Sequence, residues 1–226
     1  MNRIYRITKT LLDFSLSLVI SVLLAVPMLV ISLVIILNDF GSPFYIQTRV
    51  GMNGKTFAMV KFRSMVKNAD RLEESLSRED YEMYKKEYKL ENDKRLIGWR
   101  DGCDGKCFGA FLRRTSIDEL PQIIFNVLIV QNMSLVGPRP ILPEELENNY
   151  NEEERRKLLS VKPGVTGYWQ AYAHESAGYN NRRRQEMELF YVKNRSILFD
   201  VKILLKTVQT VLWKANQGVQ RGGESG

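Results

Sequence analysis

The sequence is poor in the residues from which zinc sites and disulfide frameworks are built. Its 226 residues include one histidine, His174, and two cysteines, Cys103 and Cys107. A structural zinc site usually needs four ligands, and a single histidine cannot complete the set. A disulfide framework is equally unsupported, so we interpret both cysteines as ordinary loop thiols in a reducing compartment.

Internal repeats and low-complexity tracts are also absent from the sequence, and charge of one sign is in moderate excess. Lysine and arginine number 33 against 26 aspartate and glutamate residues, which gives a net charge of +7. This balance suits nucleic acid, an anionic membrane surface or phosphorylated small substrates. Nucleic acid is disfavoured because the aromatic residues are not interleaved with the basic ones as a stacking platform requires.

A long apolar run near the N-terminus predicts a membrane segment. Between Asp13 and Asn38 lie 24 consecutive uncharged residues. A straight helix of that length is about 36 Å long and could cross about 30 Å of hydrocarbon. The run is too long for a cleavable signal peptide, whose apolar region has about 7–15 residues.

Pro27 lies near the centre of this run and predicts a kink, because proline removes the hydrogen bond to the carbonyl of residue 23. Four serines could supply hydroxyl groups to freed carbonyls: Ser15, Ser17, Ser21 and Ser32. Basic residues before the run, at Arg3, Arg6 and Lys9, favour a cytoplasmic N-terminus. From the residues alone, a spanning helix and a re-entrant helix that returns to the same face both remain open.

The segment from Gly41 to Met65 predicts a small β-hairpin, with two short extended stretches on either side of a turn at 51–54. Lys61 and Arg63 lie two residues apart and would project to one face of a strand. Two cations on one face suit a diphosphate, although a solvated strand face gives the same pattern. Residues 68–96 predict one or two surface helices, and Gly98–Gly109 predicts a loop.

Carboxylates and arginines that suit phosphoryl chemistry gather between Phe111 and Pro140. Asp118 and Glu119 are adjacent, with Arg113 upstream and Arg139 between two prolines downstream. Guanidinium groups fit phosphate oxygens in a bidentate way. We expect the two acids to lie at a helix N-terminus, where the dipole lowers carboxylate pKa values and favours an ionised nucleophile or metal ligand.

A purely structural alternative exists for the same residues. Ser116 followed by Glu119 is the spacing of a capping box, which begins a helix without any catalysis. An N-cap at Asp118 instead would place Pro121 safely in the first turn. Near the C-terminus, residues 186–213 mix apolar and basic positions, which is typical both of a helix at the lipid headgroup level and of a core helix.

Six separated blocks make the chain resemble the bacterial sugar transferases, also called monotopic phosphoglycosyltransferases. They occur in the family's order and cover nearly the whole sequence: Gly41–Pro43 with Gln47 and Arg49, Lys61–Met65, Leu112–Arg113, Thr115–Gln122, Met133–Pro140, and Lys162–Gly167 with Trp169–Gln170. The chain resembles the minimal catalytic form, without the extra membrane helices and accessory domain of larger members. It departs from the family in the longer, glycine-rich loop 98–109.

The resemblance implies an α/β, mostly helical fold. Residues 1–40 would form a broken, re-entrant membrane helix with its break at Pro27. Residues 41–226 would form a compact cytoplasmic catalytic domain with interfacial amphipathic helices. The protein would be monotopic, at the cytoplasmic face of the bacterial inner membrane.

The resemblance also implies a reaction. Asp118 would attack the sugar-linked phosphate of a UDP-sugar, UMP would leave, and polyprenyl (undecaprenyl) phosphate would take the phosphosugar from the aspartate. Glu119 would help to hold Mg²⁺, while Lys61, Arg63, Arg113 and Arg139 would bind phosphate oxygens. A membrane-anchored binding protein for nucleotide sugars or anionic lipid is the alternative, and it would be indifferent to Asp118. The sugar, the glycan pathway and the oligomeric state, with a homodimer among the alternatives, stay open.

Overall fold

The structure is a computed structural model that describes residues 3–69, 71, 76–87, 90, 93–100, 106–172 and 181–223. Cys103 and His174 lie outside these ranges. The helices are α1 (Arg3–Asp39), α2 (Arg78–Glu87), α3 (Phe108–Arg114), a 3₁₀ turn (Ile117–Glu119), a π-helix (Ile123–Ile129), α4 (Pro143–Asn149), α5 (Glu152–Leu158), α6 (Tyr168–Tyr172), α7 (Asn181–Asn194) and α8 (Ile197–Gly223). The strands are β1 (Phe44–Val50), β2 (Thr56–Phe62), β3 (Ser134–Val136) and β4 (Gly164–Thr166). The mostly helical architecture with a small hairpin confirms the coarse prediction.

The chain forms two compact units. The first contains Met1–Ala25, Ile46–Val60 and Pro121–Gly226, and the second contains Val26–Tyr45 and Lys61–Leu120. The predicted membrane segment, 1–40, contributes to both units. The predicted domain boundary at residue 40 stays a prediction.

Helix α1 continues through Pro27 as one helix, so the predicted break between two helical halves is not confirmed. The most apolar 18-residue stretch of this helix has a mean hydropathy of 3.0, and 11% of it is buried. By length and composition the helix could cross a membrane. Ser21 donates to the Ser17 carbonyl and Ser32 donates to the Met28 carbonyl. Neither replaces the bond that Pro27 removes.

Polar contacts fix the start of α1 within the first unit. Lys9 Nζ lies 2.8 Å from Asp200 Oδ2 on α8 and 3.6 Å from Asp13 Oδ1. Asp13 accepts a hydrogen bond from Ser134 Oγ at 2.6 Å. The Tyr191 hydroxyl donates to Asp200 at 2.8 Å. A helix whose other faces are apolar and exposed is thus attached to β3 and α8 through charged groups.

The hairpin β1–β2 forms as predicted around the turn at 51–54. Asn53 and Gly54 both have positive φ, at 60° and 75°, which the turn requires and which these residue types tolerate. Gly51 N–H donates to the Lys55 carbonyl at 2.8 Å and closes the turn.

Strands β3 and β4 pair in parallel and join two of the six sequence blocks, with Ser134 opposite Gly164 and Val136 opposite Thr166. The backbones approach closely at the end of the pair, where Gly137 N–H donates to the Thr166 carbonyl at 3.0 Å. A Cβ atom at position 164 would overlap the Gly137 backbone. Glycine at this position is therefore a requirement of the strand pair.

The C-terminal region forms two helices rather than one, which corrects the single helix expected for 186–213. The first ends at Asn194 and the second begins at Ile197, where Ser196 is the N-cap because its Oγ accepts from the Phe199 amide at 3.2 Å. Helix α8 buries Ile203 completely. Its other face exposes an apolar stripe, here called the α8 stripe: Leu198, Val201, Leu205, Val208 and Leu212. A buried face and an exposed apolar face therefore coexist on one helix.

Candidate functional site

A tight turn after α3 presents the two candidate carboxylates. Ser116 takes a left-handed conformation with φ of 57°, and it starts the single 3₁₀ turn that carries Asp118 and Glu119. The Glu119 amide donates to the Ser116 carbonyl at 3.1 Å. Ser116 makes no side-chain capping bond, so the capping-box alternative is wrong: its left-handed backbone does not suit an N-cap. Pro121 opens the helical segment that follows the turn, where its missing N–H costs nothing.

Lys61 of β2 reaches this turn. Its Nζ lies 2.7 Å from Glu119 Oε1, and the two side chains are 21% and 29% exposed, so the ion pair is partly shielded from water. Arg113 and Arg114, at the end of α3, are exposed. The structure thus brings a lysine, two acids and a nearby guanidinium together in one unit.

Burial dominates the electrostatics of Asp118. Loss of solvation raises the pKa of this half-buried carboxyl from 3.8 to about 6; Lys61 and Arg113 lower it, and Glu119 raises it. The expectation that a helix dipole lowers this pKa is therefore wrong. A single 3₁₀ turn has too few aligned peptide groups to outweigh desolvation.

Arg63 lies one residue beyond β2 and is buried, with its amide donating to the Pro43 carbonyl at 2.9 Å. Its guanidinium packs on Gly41, where a Cβ would overlap it. This contact joins the first two sequence blocks. That Arg63 also binds phosphate stays a prediction.

Arg139 belongs to the other compact unit, and its side chain is half-buried. The backbone around it is held on both sides. The Pro138 carbonyl accepts from Gly164 N–H at 2.8 Å, the Pro140 carbonyl accepts from Arg49 Nη1 at 3.3 Å, and the Ile141 carbonyl accepts from Val50 N–H at 2.9 Å. The phosphate-binding role of Arg139 stays a prediction.

The donor set at the turn suits Mg²⁺, which proteins usually hold through one or two carboxylates together with substrate phosphates. The Lys61 contact uses Glu119 Oε1, and a carboxylate has a second oxygen that can accept a cation. In the described parts of the chain, no group of three or more histidine, cysteine, aspartate or glutamate side chains is placed to hold a metal. The residues therefore fit an ion shared with the substrate better than a closed protein cage.

Two buried polar side chains near these segments were missed by sequence reasoning. Asn126, on the π-helix, donates from Nδ2 to the Ala58 carbonyl at 2.8 Å and accepts from the Val60 amide at 3.0 Å, so it pairs with β2 as a strand would. Glu188, on α7, accepts from the Arg139 amide at 3.0 Å. Helical spacing gives a weak indication that Glu188 is buried, because it lies one helical turn before the buried Tyr191 and Val192 and so on the same face. It gives no indication of the contact with Arg139.

The family model described as "Bacterial sugar transferase" matches residues 4–214. An undecaprenyl-phosphate galactose phosphotransferase from Salmonella typhimurium is 37% identical over 214 residues, which are 93% of this chain and 42% of that protein. The UDP-glucose:undecaprenyl-phosphate glucose-1-phosphate transferase of Escherichia coli is 33% identical, over 92% of this chain and 41% of that protein.

A relative of more similar length is the exopolysaccharide production protein ExoY from Sinorhizobium fredii. It is 36% identical over 77% of this chain and 72% of that protein. The chain therefore spans less than half of the first two relatives and most of the third. With the match covering all six sequence blocks, the chain belongs to the bacterial sugar transferase family.

Proposed function

We propose that this protein transfers a phosphosugar from a UDP-sugar to polyprenyl (undecaprenyl) phosphate, releasing UMP and forming a polyprenyl-diphosphate-sugar. The observation that carries the proposal is the turn at 117–119, where half-buried Asp118 lies beside the Lys61–Glu119 ion pair and within reach of the Arg113 charge. Family membership and the undecaprenyl-phosphate transferases among its relatives support the reaction class.

In the first step an Asp118 carboxylate oxygen forms a bond to the sugar-linked phosphorus. The bond from that phosphorus to the bridging oxygen breaks, and UMP leaves with the electron pair. Arg113, Arg139, Lys61 and Arg63 neutralise phosphate oxygens, since guanidinium and ammonium groups bind phosphate through charge-assisted hydrogen bonds. Mg²⁺ held by Glu119 would neutralise charge on the diphosphate.

In the second step an oxygen of polyprenyl phosphate attacks the phosphosugar-aspartate. The bond between the phosphorus and Asp118 breaks, which regenerates the carboxylate and completes the new diphosphate. A covalent intermediate lets a water-soluble donor and a lipid acceptor react in turn at one carboxylate. The reaction would begin the membrane stage of bacterial polysaccharide or glycoconjugate synthesis.

Attachment to the plasma membrane is part of the proposal, and it is supported by the exposed apolar faces of α1 and by the α8 stripe. We propose a re-entrant α1 that keeps both ends at the cytoplasmic face, where nucleotide sugars are found. Cysteine labelling of residues 2 and 45 in intact cells tests this topology. Labelling from opposite faces would refute it.

The decisive variant for the function is Asp118→Asn, which keeps the size of the side chain but removes the nucleophile. We expect loss of UMP release from UDP-sugar plus undecaprenyl phosphate, with unchanged thermal unfolding. A panel of UDP-sugars identifies the donor in the same assay. Retained turnover in Asp118→Asn would refute the nucleophile, and donor binding without turnover in the unaltered protein would favour the alternative of a binding protein.

A further inference from the structure

The backbone amide of Arg139 occupies an unusual position in the sequence and in the fold. Its neighbours Pro138 and Pro140 have no N–H, so Arg139 supplies the only backbone donor in this tripeptide. That donor points to Glu188 Oε2 of α7 at 3.0 Å. Glu188 is 1% exposed, so the bond lies in the interior of the first unit.

A carboxyl group at this place is costly, because the interior does not solvate it fully. Its Oε1 atom has no hydrogen-bond partner within the described ranges, and the same holds for the nearby Tyr150 hydroxyl. Arg184, one turn earlier on α7, pairs with Glu145. An apolar side chain would fill the space without this cost. What Glu188 adds is an acceptor at the Arg139 amide.

The contact restrains the Arg139 backbone and so the direction in which its side chain leaves the chain. A residue that precedes proline is restricted to extended backbone conformations, and Arg139 precedes Pro140. The flanking carbonyls of Pro138 and Pro140 accept from Gly164 and Arg49, and the Glu188 bond adds a third restraint on this backbone, at the Arg139 amide. The guanidinium then extends from a backbone held at both ends.

We propose that Glu188 is a positioning residue, which holds the Arg139 backbone so that its guanidinium meets the phosphate of the donor. The inference rests on the proposed function, in which Arg139 binds phosphate. It adds a residue on α7, distant in sequence from the segments that carry the carboxylates and arginines.

Two conservative variants separate the acceptor from the charge. Glu188→Gln keeps an acceptor oxygen at the same reach and removes the charge. Glu188→Asp keeps the charge and withdraws the acceptor by one methylene. If Glu188→Asp does not fold, Glu188→Leu, which has no acceptor, replaces it with the same expectation.

For Glu188→Asp we expect the KM for the UDP-sugar to rise about tenfold, near the upper end for the loss of one intramolecular hydrogen bond. Glu188→Gln should keep the KM within about threefold of the unaltered protein, because a neutral acceptor still bonds the amide. Hydrogen exchange at the Arg139 amide, measured in the full-length protein without donor, gives a second readout. Exchange should be faster in Glu188→Asp and nearly unchanged in Glu188→Gln.

Three results would overturn the inference: equal KM and equal exchange in all three proteins, impairment of Glu188→Gln with a normal Glu188→Asp, or activity losses that follow the melting temperature in both variants. Failure of the proposed function gives a different result. In that case the unaltered protein releases no UMP from any donor, whereas the exchange experiment still reports on the Glu188–Arg139 contact.

Discussion

Asn126 offers a quantitative test of how the π-helix supports β2. Its side chain is 1% exposed and makes three hydrogen bonds: to the Ala58 carbonyl at 2.8 Å, from the Val60 amide at 3.0 Å, and to Asn132 Oδ1 at 3.1 Å. Asn126→Leu has the same number and branching of side-chain heavy atoms but removes all three bonds and leaves two backbone groups of the strand without this partner. The protein should then be destabilised by more than the change in side-chain packing alone would cause.

The expected magnitude follows from these contacts. Each net hydrogen bond contributes about 1 kcal/mol, and an unsatisfied buried group adds further cost, so Asn126→Leu should lower the free energy of unfolding by about 3–5 kcal/mol. Asn132→Ala removes only the third bond and should cost about 1 kcal/mol. Asn126→Asp keeps the acceptor for Val60 but cannot donate to Ala58, and it should fall between the two.

Denaturant unfolding of the purified protein in one detergent, followed by circular dichroism, measures all three variants. We predict that the loss of unfolding free energy is largest for Asn126→Leu, intermediate for Asn126→Asp and smallest for Asn132→Ala. If the unfolding free energy of Asn126→Leu lies within about 1 kcal/mol of that of the unaltered protein, the loss is smaller than two hydrogen bonds would give. That result would refute the role of Asn126 as a pairing partner of β2.

Three further predictions concern other parts of the molecule. Gly164→Ala should abolish folding or lower the melting temperature strongly, because the new Cβ overlaps the Gly137 backbone; Gly54→Ala, where a Cβ meets nothing within 4 Å, isolates the cost of positive φ alone. Burial raises the pKa of Glu188 from 4.5 to about 7, so the native state binds one more proton than the unfolded chain between these values, and unfolding free energy should fall by about 3 kcal/mol as pH rises from 4.5 to 7. Glu188→Gln should flatten that dependence, and an unchanged slope in denaturant titrations would contradict the assignment. Glu119→Gln should chiefly weaken the Mg²⁺ dependence of UMP release, and full activity of the unaltered protein in EDTA would contradict the metal role.

The sequence predicted the features that depend on local rules. The turn at 51–54 follows from Asn53 and Gly54, which tolerate positive φ. Pro121 is expected within the first turn of a helix, and the helical segment begins at Pro121 itself. The closeness of Arg113 and Glu119 to Asp118 could also be anticipated, because these residues lie within one short segment.

Features that depend on tertiary contacts could not be predicted in the same way. The left-handed backbone of Ser116 rules out the alternative of a capping box, and the serine side chain does not indicate that conformation. The raised pKa of Asp118 comes from burial, which a sequence motif does not report. The Glu188 contact joins residues 49 positions apart, so no helical or strand periodicity could indicate it.

The covalent phosphosugar on Asp118 is the central claim, and mass spectrometry tests it most directly. The protein is incubated with its UDP-sugar donor in the absence of polyprenyl phosphate, and the intact mass and the peptide containing Asp118 are measured. We predict a stoichiometric gain equal to one phosphosugar, located on Asp118, with an equal amount of UMP released and removal of the label when undecaprenyl phosphate is added. Product formation with no labelled protein, or a label on another residue, would contradict the account.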